Sequence, residues 1–163
     1  MKKFLLSFCL LVISIAAQAQ ASYGDLFLVD YNVKINVSTE NDSIFLSLIM
    51  TSASQKMTDE PKLLLRLMDD TVISLDGRLL SSTSKSDGAY MIGYVAVASN
   101  HFITEAKFSI SKEQMEQFAK GIKKLRLNTS PEFHEKSWRR DKIGRKLYDK
   151  YKESSSNSFE DNF

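Results

Sequence analysis

From Tyr31 the chain alternates with a period of two: Tyr31, Val33, Ile35 and Val37 are separated by Asn32, Lys34 and Asn36. Such alternation predicts a strand with one buried face. Ser38 to Ser43 is turn chemistry, and the continuous apolar run Ile44 to Met50 predicts a second strand covered on both faces, the two forming a hairpin. After the polar stretch Thr51 to Glu60 and Pro61, Leu63, Leu65 and Leu67 share one face of a third strand, Lys62 to Met68. Asp69-Asp70 reads as a turn before Thr71 to Leu75. Asp76-Gly77 is a tight-turn dipeptide, so a short hairpin with Arg78 to Ser82 is expected. Ser81 to Gly88 reads as a loop, and Tyr90 to Ala98 and Phe102 to Ile110 as a pair of long strands around Ser99-Asn100-His101. In the second of these, Phe102, Thr104, Ala106, Phe108 and Ile110 share the inner face.

The period changes at Ser111. Ser111-Lys112-Glu113-Gln114 fits a capping box, Met115, Phe118 and Ala119 form an apolar stripe, and Gly121 stands where a helix end favours a left-handed residue. Ile122 to Asn128 predicts a further strand, with Leu125 and Leu127 inward and Lys124 and Arg126 outward. A loop follows around Pro131. Ser137 to Lys152 predicts a helix, because Ile143, Leu147 and Tyr151 recur at helical spacing; Gly144 within it is a weak point of about 1 kcal/mol relative to Ala. The fold class expected is α+β, mainly antiparallel β, as a sandwich or a curved sheet, with one short helix and one longer C-terminal helix. No repeat at solenoid or propeller spacing interrupts this organisation.

The N-terminus changes the picture of where the protein acts. Lys2 and Lys3 precede an apolar run from Phe4 to Ala17, and Ala17-Gln18-Ala19 offers small residues for a signal peptidase. This predicts a signal peptide over residues 1–19, a single β-rich globular domain over 22–153 and a disordered acidic tail over 154–163. A helix of about 14 residues covers roughly 21 Å, short of a hydrocarbon core about 30 Å thick, so no transmembrane span is expected after processing. The expected location is exported: periplasmic, cell-surface or extracellular. Cys9, the single cysteine, falls inside the signal peptide. The mature chain then has no thiol for disulfides, zinc or nucleophilic attack.

At 163 residues and 43% hydrophobic, the chain suits one domain with one core. Removing Lys2 and Lys3 leaves 20 basic residues against 20 acidic ones. They are unevenly placed: residues 112 to 152 hold 13 basic and 6 acidic, while 22 to 111 hold 7 basic and 11 acidic.

The segment FSISKEQMEQFAKGIKKLRLNTS from Phe108, followed by Asp141-Lys142-Ile143-Gly144-Arg145-Lys146-Leu147-Tyr148, resembles the C-terminal part of small uncharacterised exported proteins of Bacteroidota. The likeness covers about a quarter of the chain. It implies a helix, a strand and a basic helix, and brings over no catalytic residue. Asp42-Ser43-Ile44 and Asp70-Thr71-Val72 also look like the short O-glycosylation acceptors of that phylum.

Reactive chemistry is sparse. His101 and His134 fall in separate expected loops, and His134-Glu135 has no second His at helical spacing. Gly-x-Ser-x-Gly is absent, and so are the phosphate-loop and dinucleotide glycine patterns. Asp59-Glu60 and Asp69-Asp70 are adjacent acids at turn positions, without the spacing of a calcium loop. No catalytic residue, metal site or cofactor is therefore assigned.

The basic stretch is the remaining signal. Lys136, Arg139, Arg140, Lys142, Arg145 and Lys146 are the candidate contacts for an anionic partner, with Trp138 and Tyr148 as candidate aromatic contacts. The bland alternative is a solvated helix face with Trp138 and Tyr151 packed inward. The function expected is an exported, envelope-associated binding or scaffolding domain whose partner is an envelope protein, a glycan or an anionic lipid. Export argues against nucleic acid. Two alternatives stand beside it: a small secreted hydrolase acting on glycan or peptide, and a self-assembling structural subunit using a strand edge such as Tyr31 to Val37 or the approach Tyr23 to Val29.

Overall fold

A computed structural model describes residues 27–30, 32–41, 43–92 and 94–160. The expected signal peptide with Cys9, Tyr23, Tyr31 and Asp42 lie outside the described residues. The elements are β1 (Phe27–Asp30), β2 (Val33–Glu40), β3 (Ser43–Ser52), β4 (Lys56–Met57), β5 (Lys62–Leu67), β6 (Val72–Ile92) and β7 (Val95–Ile110). They continue with α1 (Lys112–Gln117), a 3-10 turn (Phe118–Lys120), β8 (Ile122–Leu127), β9 (Thr129–Ser130), β10 (His134–Ser137) and α2 (Gly144–Glu160).

Eight strands form one antiparallel sheet in the order β1-β2-β3-β7-β6-β5-β8-β10, and β4 pairs with β9 beside it. The fold is α+β and mainly antiparallel β, with a short helix and a C-terminal one. The period-two pattern explains the sheet's inner face. Val33, Ile35 and Val37 of β2, Leu46, Leu48 and Met50 of β3, Ala106 and Phe108 of β7, Leu63, Leu65 and Leu67 of β5, and Leu125 and Leu127 of β8 are buried in one cluster. Each buried Leu contributes about 1.5–3 kcal/mol relative to exposure.

The helices close this core. Ile143, Leu147 and Tyr151 of α2 and Met115 of α1, with Phe118 just beyond it, belong to the same cluster. α2 packs both on β2, near one end of the strand order, and on the 3-10 turn that feeds β8, near the other. Strands five steps apart in a flat sheet stand about 24 Å apart, more than one helix about 10 Å across can bridge. The sheet is therefore curled around its core.

Several sequence expectations need correction. No turn forms at Asp76-Gly77: β6 runs straight through it, with Gly77 facing the core opposite Phe108. The expected loop over 81–88 is strand as well, and so is Ser99-Asn100-His101; β6 ends at Ile92 and β7 begins at Val95. The polar segments read as loops because no apolar alternation marks them: residues 82–86 and Asn100 are exposed although they lie in strands. The C-terminal helix starts at Gly144 rather than Ser137, since His134–Ser137 is taken by pairing with β8. It continues to Glu160, into the stretch assigned to the tail. Finally, β2 is paired on both sides over Val33 to Ile35, by β1 and β3, so that part of the strand offers no free edge.

Other expectations hold. Ser111 caps α1 through both arms of the capping box, with the Gln114 N–H donating to Ser111 Oγ at 3.2 Å and the Ser111 N–H donating to Gln114 Oε1 at 3.0 Å. Asp69-Asp70 is a turn in which Asp70 adopts φ 66° and Thr71, one of the two acceptor-like positions, is exposed.

A candidate anion-binding surface

The six basic candidates are not carried by one helix. Lys136 is on β10, Arg139, Arg140 and Lys142 are on the loop before α2, and Arg145 and Lys146 are in the first turn of α2. Lys136 is half-buried and the other five are exposed.

The loop is held in place at both ends. At its start the Trp138 N–H donates to the Lys123 carbonyl at 2.7 Å, continuing the β8 backbone contacts. At its end the Asp141 carboxylate gathers four backbone N–H groups. Oδ1 accepts from Gly144 at 2.8 Å, Ile122 at 2.9 Å and Ile143 at 3.2 Å, and Oδ2 accepts from Arg145 at 2.9 Å. Three of these N–H groups lie at the start of α2, where no intrahelical acceptor exists; the fourth begins β8. One carboxylate thus joins helix start, loop and sheet. Partial burial pushes its pKa up, but the N–H groups of Arg145, Ile122, Gly144 and Ile143 outweigh this and hold the pKa below the ordinary value.

Close packing supports the same corner. Gly121 has φ 87°, and a Cβ there would lie 2.6 Å from Asp141 Cβ. Only glycine combines that backbone angle with that approach.

The basic residues divide into two groups. Lys120 pairs with Asp69 at 2.7 Å, Lys123 with Asp70 at 2.9 Å, and Lys124 and Arg126 both reach Glu135 at 2.7 Å. Lys120 and Thr71 draw the Asp69 pKa down to about 2, and Lys124 and Arg126 lower that of Glu135. In contrast, Arg139, Arg140, Lys142 and Arg145 make no ion pair among the described residues. Trp138 and Tyr148 are each half-buried against the core cluster, so each presents one flank outward, and Lys152 lies 5.6 Å from the Tyr148 ring centre.

The histidines are not brought together. His101 is on β7 and His134 on β10, with β6, β5 and β8 between them in the sheet. The hollow beside His101 is lined by Asn32, Thr51, Ser52, Ala53 and Ser54, with no carboxylate. Among the described residues no three His, Cys, Asp or Glu side chains group as a metal site would require, and no helix is long and apolar enough to cross a membrane.

Two features escaped the sequence reading. Asp141 was visible only as one acid in a basic run, although Asp shortly before a helix is a recognised capping signal. On the outer sheet face, Leu64, Arg66, Val72, Lys124 and Arg126 line a hollow of about 110 Å³, with exposed Phe133 5.4 Å from Arg126. Assembling it takes residues from three strands whose pairing local pattern does not disclose. No family model, curated protein or solved structure matches this chain.

Proposed function

We propose that this protein is an exported binding module of the cell envelope that docks on an anionic partner through Arg139, Arg140, Lys142 and Arg145, with Lys136 and Lys146 beside them. One observation carries the reading: these four cations stand around a loop fixed by Asp141 and lack acidic partners among the described residues, while their neighbours Lys120, Lys123, Lys124 and Arg126 are matched by acids.

The placement of Arg145 and Lys146 supports it. The first helical turn carries the positive end of the macrodipole, where acids stabilise and cations do not. Here the first turn holds no acid of its own, and the Asp141 carboxylate just before it accepts from the Gly144 and Arg145 N–H groups. Positive charge kept where it weakens the fold is expected of a surface used for binding. The partner chemistry it fits is a spread of negative charge, as on an acidic glycan or a layer of anionic headgroups.

The test is Arg139→Glu with Arg140→Glu in the mature protein. Binding to envelope fractions should be lost, and binding of the unmodified protein should weaken as salt shortens the Debye length. Retention of the charge-reversed protein, with binding indifferent to salt, would exclude this surface as the contact.

A further inference from the structure

β6 and β7 outlast the sheet that holds them. β5 pairs with β6 only as far as Asp76, and β3 pairs with β7 only back to Phe102. Beyond these points residues 85–92 and 95–101 are paired with each other by the sheet register and with no third strand among the described residues. The result is a two-stranded arm extending roughly 25 Å from the body. Its far part reads Ala-Tyr-Met-Ile from Ala89 and Val-Ala-Val-Ala from Val95, without a charge, and Tyr94 between them is fully exposed. Register places the polar boundary level on both strands, with Ser86 opposite Asn100 and Ala89 opposite Ala98.

The two edges of the arm differ. The β6 edge is broken by irregularities between Leu79 and Ser81 and between Ser86 and Ala89, and carries Lys85 and Asp87; both devices discourage pairing. The β7 edge over residues 95–101 is regular and holds no lysine, arginine, acid or proline. A lipid interior does not suit it, because outward N–H and C=O groups would go unpaired in hydrocarbon. A charged partner finds nothing complementary. What fits is another such β-edge, and this chain supplies one.

We propose that residues 95–101 pair antiparallel with the same residues of a second copy, across a two-fold axis near Ala98, giving a continuous β6-β7-β7-β6 ribbon. An identical edge on each side is what an isologous contact requires. The added strand would run in line with β3, which stops opposite Phe102. Charge favours the arrangement too. Following the strand directions from the pairings, the start of α2 and the basic loop beside Ile122 lie at the end of the sheet away from the arm. Paired arms therefore keep the two basic surfaces apart and present them at opposite ends of a dimer, a bivalent arrangement.

Sedimentation of the mature protein over a range of concentrations tests this. The unmodified chain should pass from monomer to dimer. Ala98→Lys and Ala98→Glu should each stay monomeric, since either sets like charges face to face, and an equimolar mixture of the two should recover the dimer. Hydrogen exchange on the unmodified chain gives a reading independent of variant folding: amides within 95–101 should gain protection as concentration rises. A monomer at every concentration, a dimer untouched by both substitutions, exchange at 95–101 indifferent to concentration, or arm-dependent binding of the monomer to phosphatidylcholine vesicles would each overturn the proposal.

Discussion

The ring of Phe108 occupies the space where a side chain at Gly77 would begin: a Cβ there would lie 2.6 Å from both Cδ1 and Cε1 of the ring. The two residues face each other across β6 and β7, and Phe108 is completely buried. Gly77 thus serves a packing role within a strand, where close approach of a neighbour is one reason to find glycine.

Gly77→Ala should destabilise the fold by about 1–3 kcal/mol, the range for forcing extra atoms into a packed core. Urea unfolding measures it. In a Phe108→Leu background the same substitution should cost less, because the two sites share one space. Equal costs in both backgrounds would show that the ring is not what excludes the methyl group.

Gly144→Ala tests packing against propensity. In an open helix Ala is favoured over Gly by about 1 kcal/mol. Here a Cβ would meet the Ile122 amide nitrogen at 2.7 Å and Asp141 Oδ1 at 3.0 Å, contacts with backbone and with a carboxylate already engaged. The expected outcome is a lower midpoint of thermal unfolding, and a raised midpoint would contradict the geometry.

Asp141 ties acid stability to the same corner. Its pKa is lowered in the folded state, so its ionised form stabilises the fold above the ordinary value of 3.8, and that contribution is lost as pH falls through the lower folded value. Asp141→Asn should therefore be less stable than the unmodified protein at neutral pH. The difference in unfolding free energy should be flat above about pH 5 and shrink in more acidic solution. Asp141→Ala removes all four acceptor contacts and should cost about 1–2 kcal/mol or more at neutral pH. A difference between wild type and Asp141→Asn that does not change with pH would mean that the charge contributes nothing.

What the sequence discloses follows from which physical signal each part carries. β2 and the body of β7 bury one face, so Val33, Ile35, Val37 and Thr104, Ala106, Phe108, Ile110 alternate visibly. The α1 start is local, contained in Ser111 and Gln114, and reads directly. The arm buries little on its serine-rich part and so resembles a loop, and Gly77 looks like a turn until its neighbour from another strand is known. The α2 start depends on Ile122, 19 residues before Asp141 along the chain. The basic residues of the candidate surface were legible as a group. Their division into acid-matched and unmatched sets was not, since the acids responsible are Asp69, Asp70 and Glu135 from other elements.

That division yields the sharpest comparison. Lys120→Ala with Lys123→Ala and Arg139→Ala with Arg140→Ala change net charge equally. If binding follows net charge alone, both proteins should lose the same affinity for an anionic surface. If it follows the unmatched cations, only the Arg139/Arg140 variant should weaken and show a shallower salt dependence, while the lysine variant binds as before, its ammonium groups having been held by Asp69 and Asp70. The lysine variant should differ little in stability, because exposed pairs of this kind contribute little to folding. Titration against vesicles or polyanions of graded charge density separates the two cases. Equal losses would assign the attraction to the whole basic half of the molecule and not to the loop that Asp141 holds.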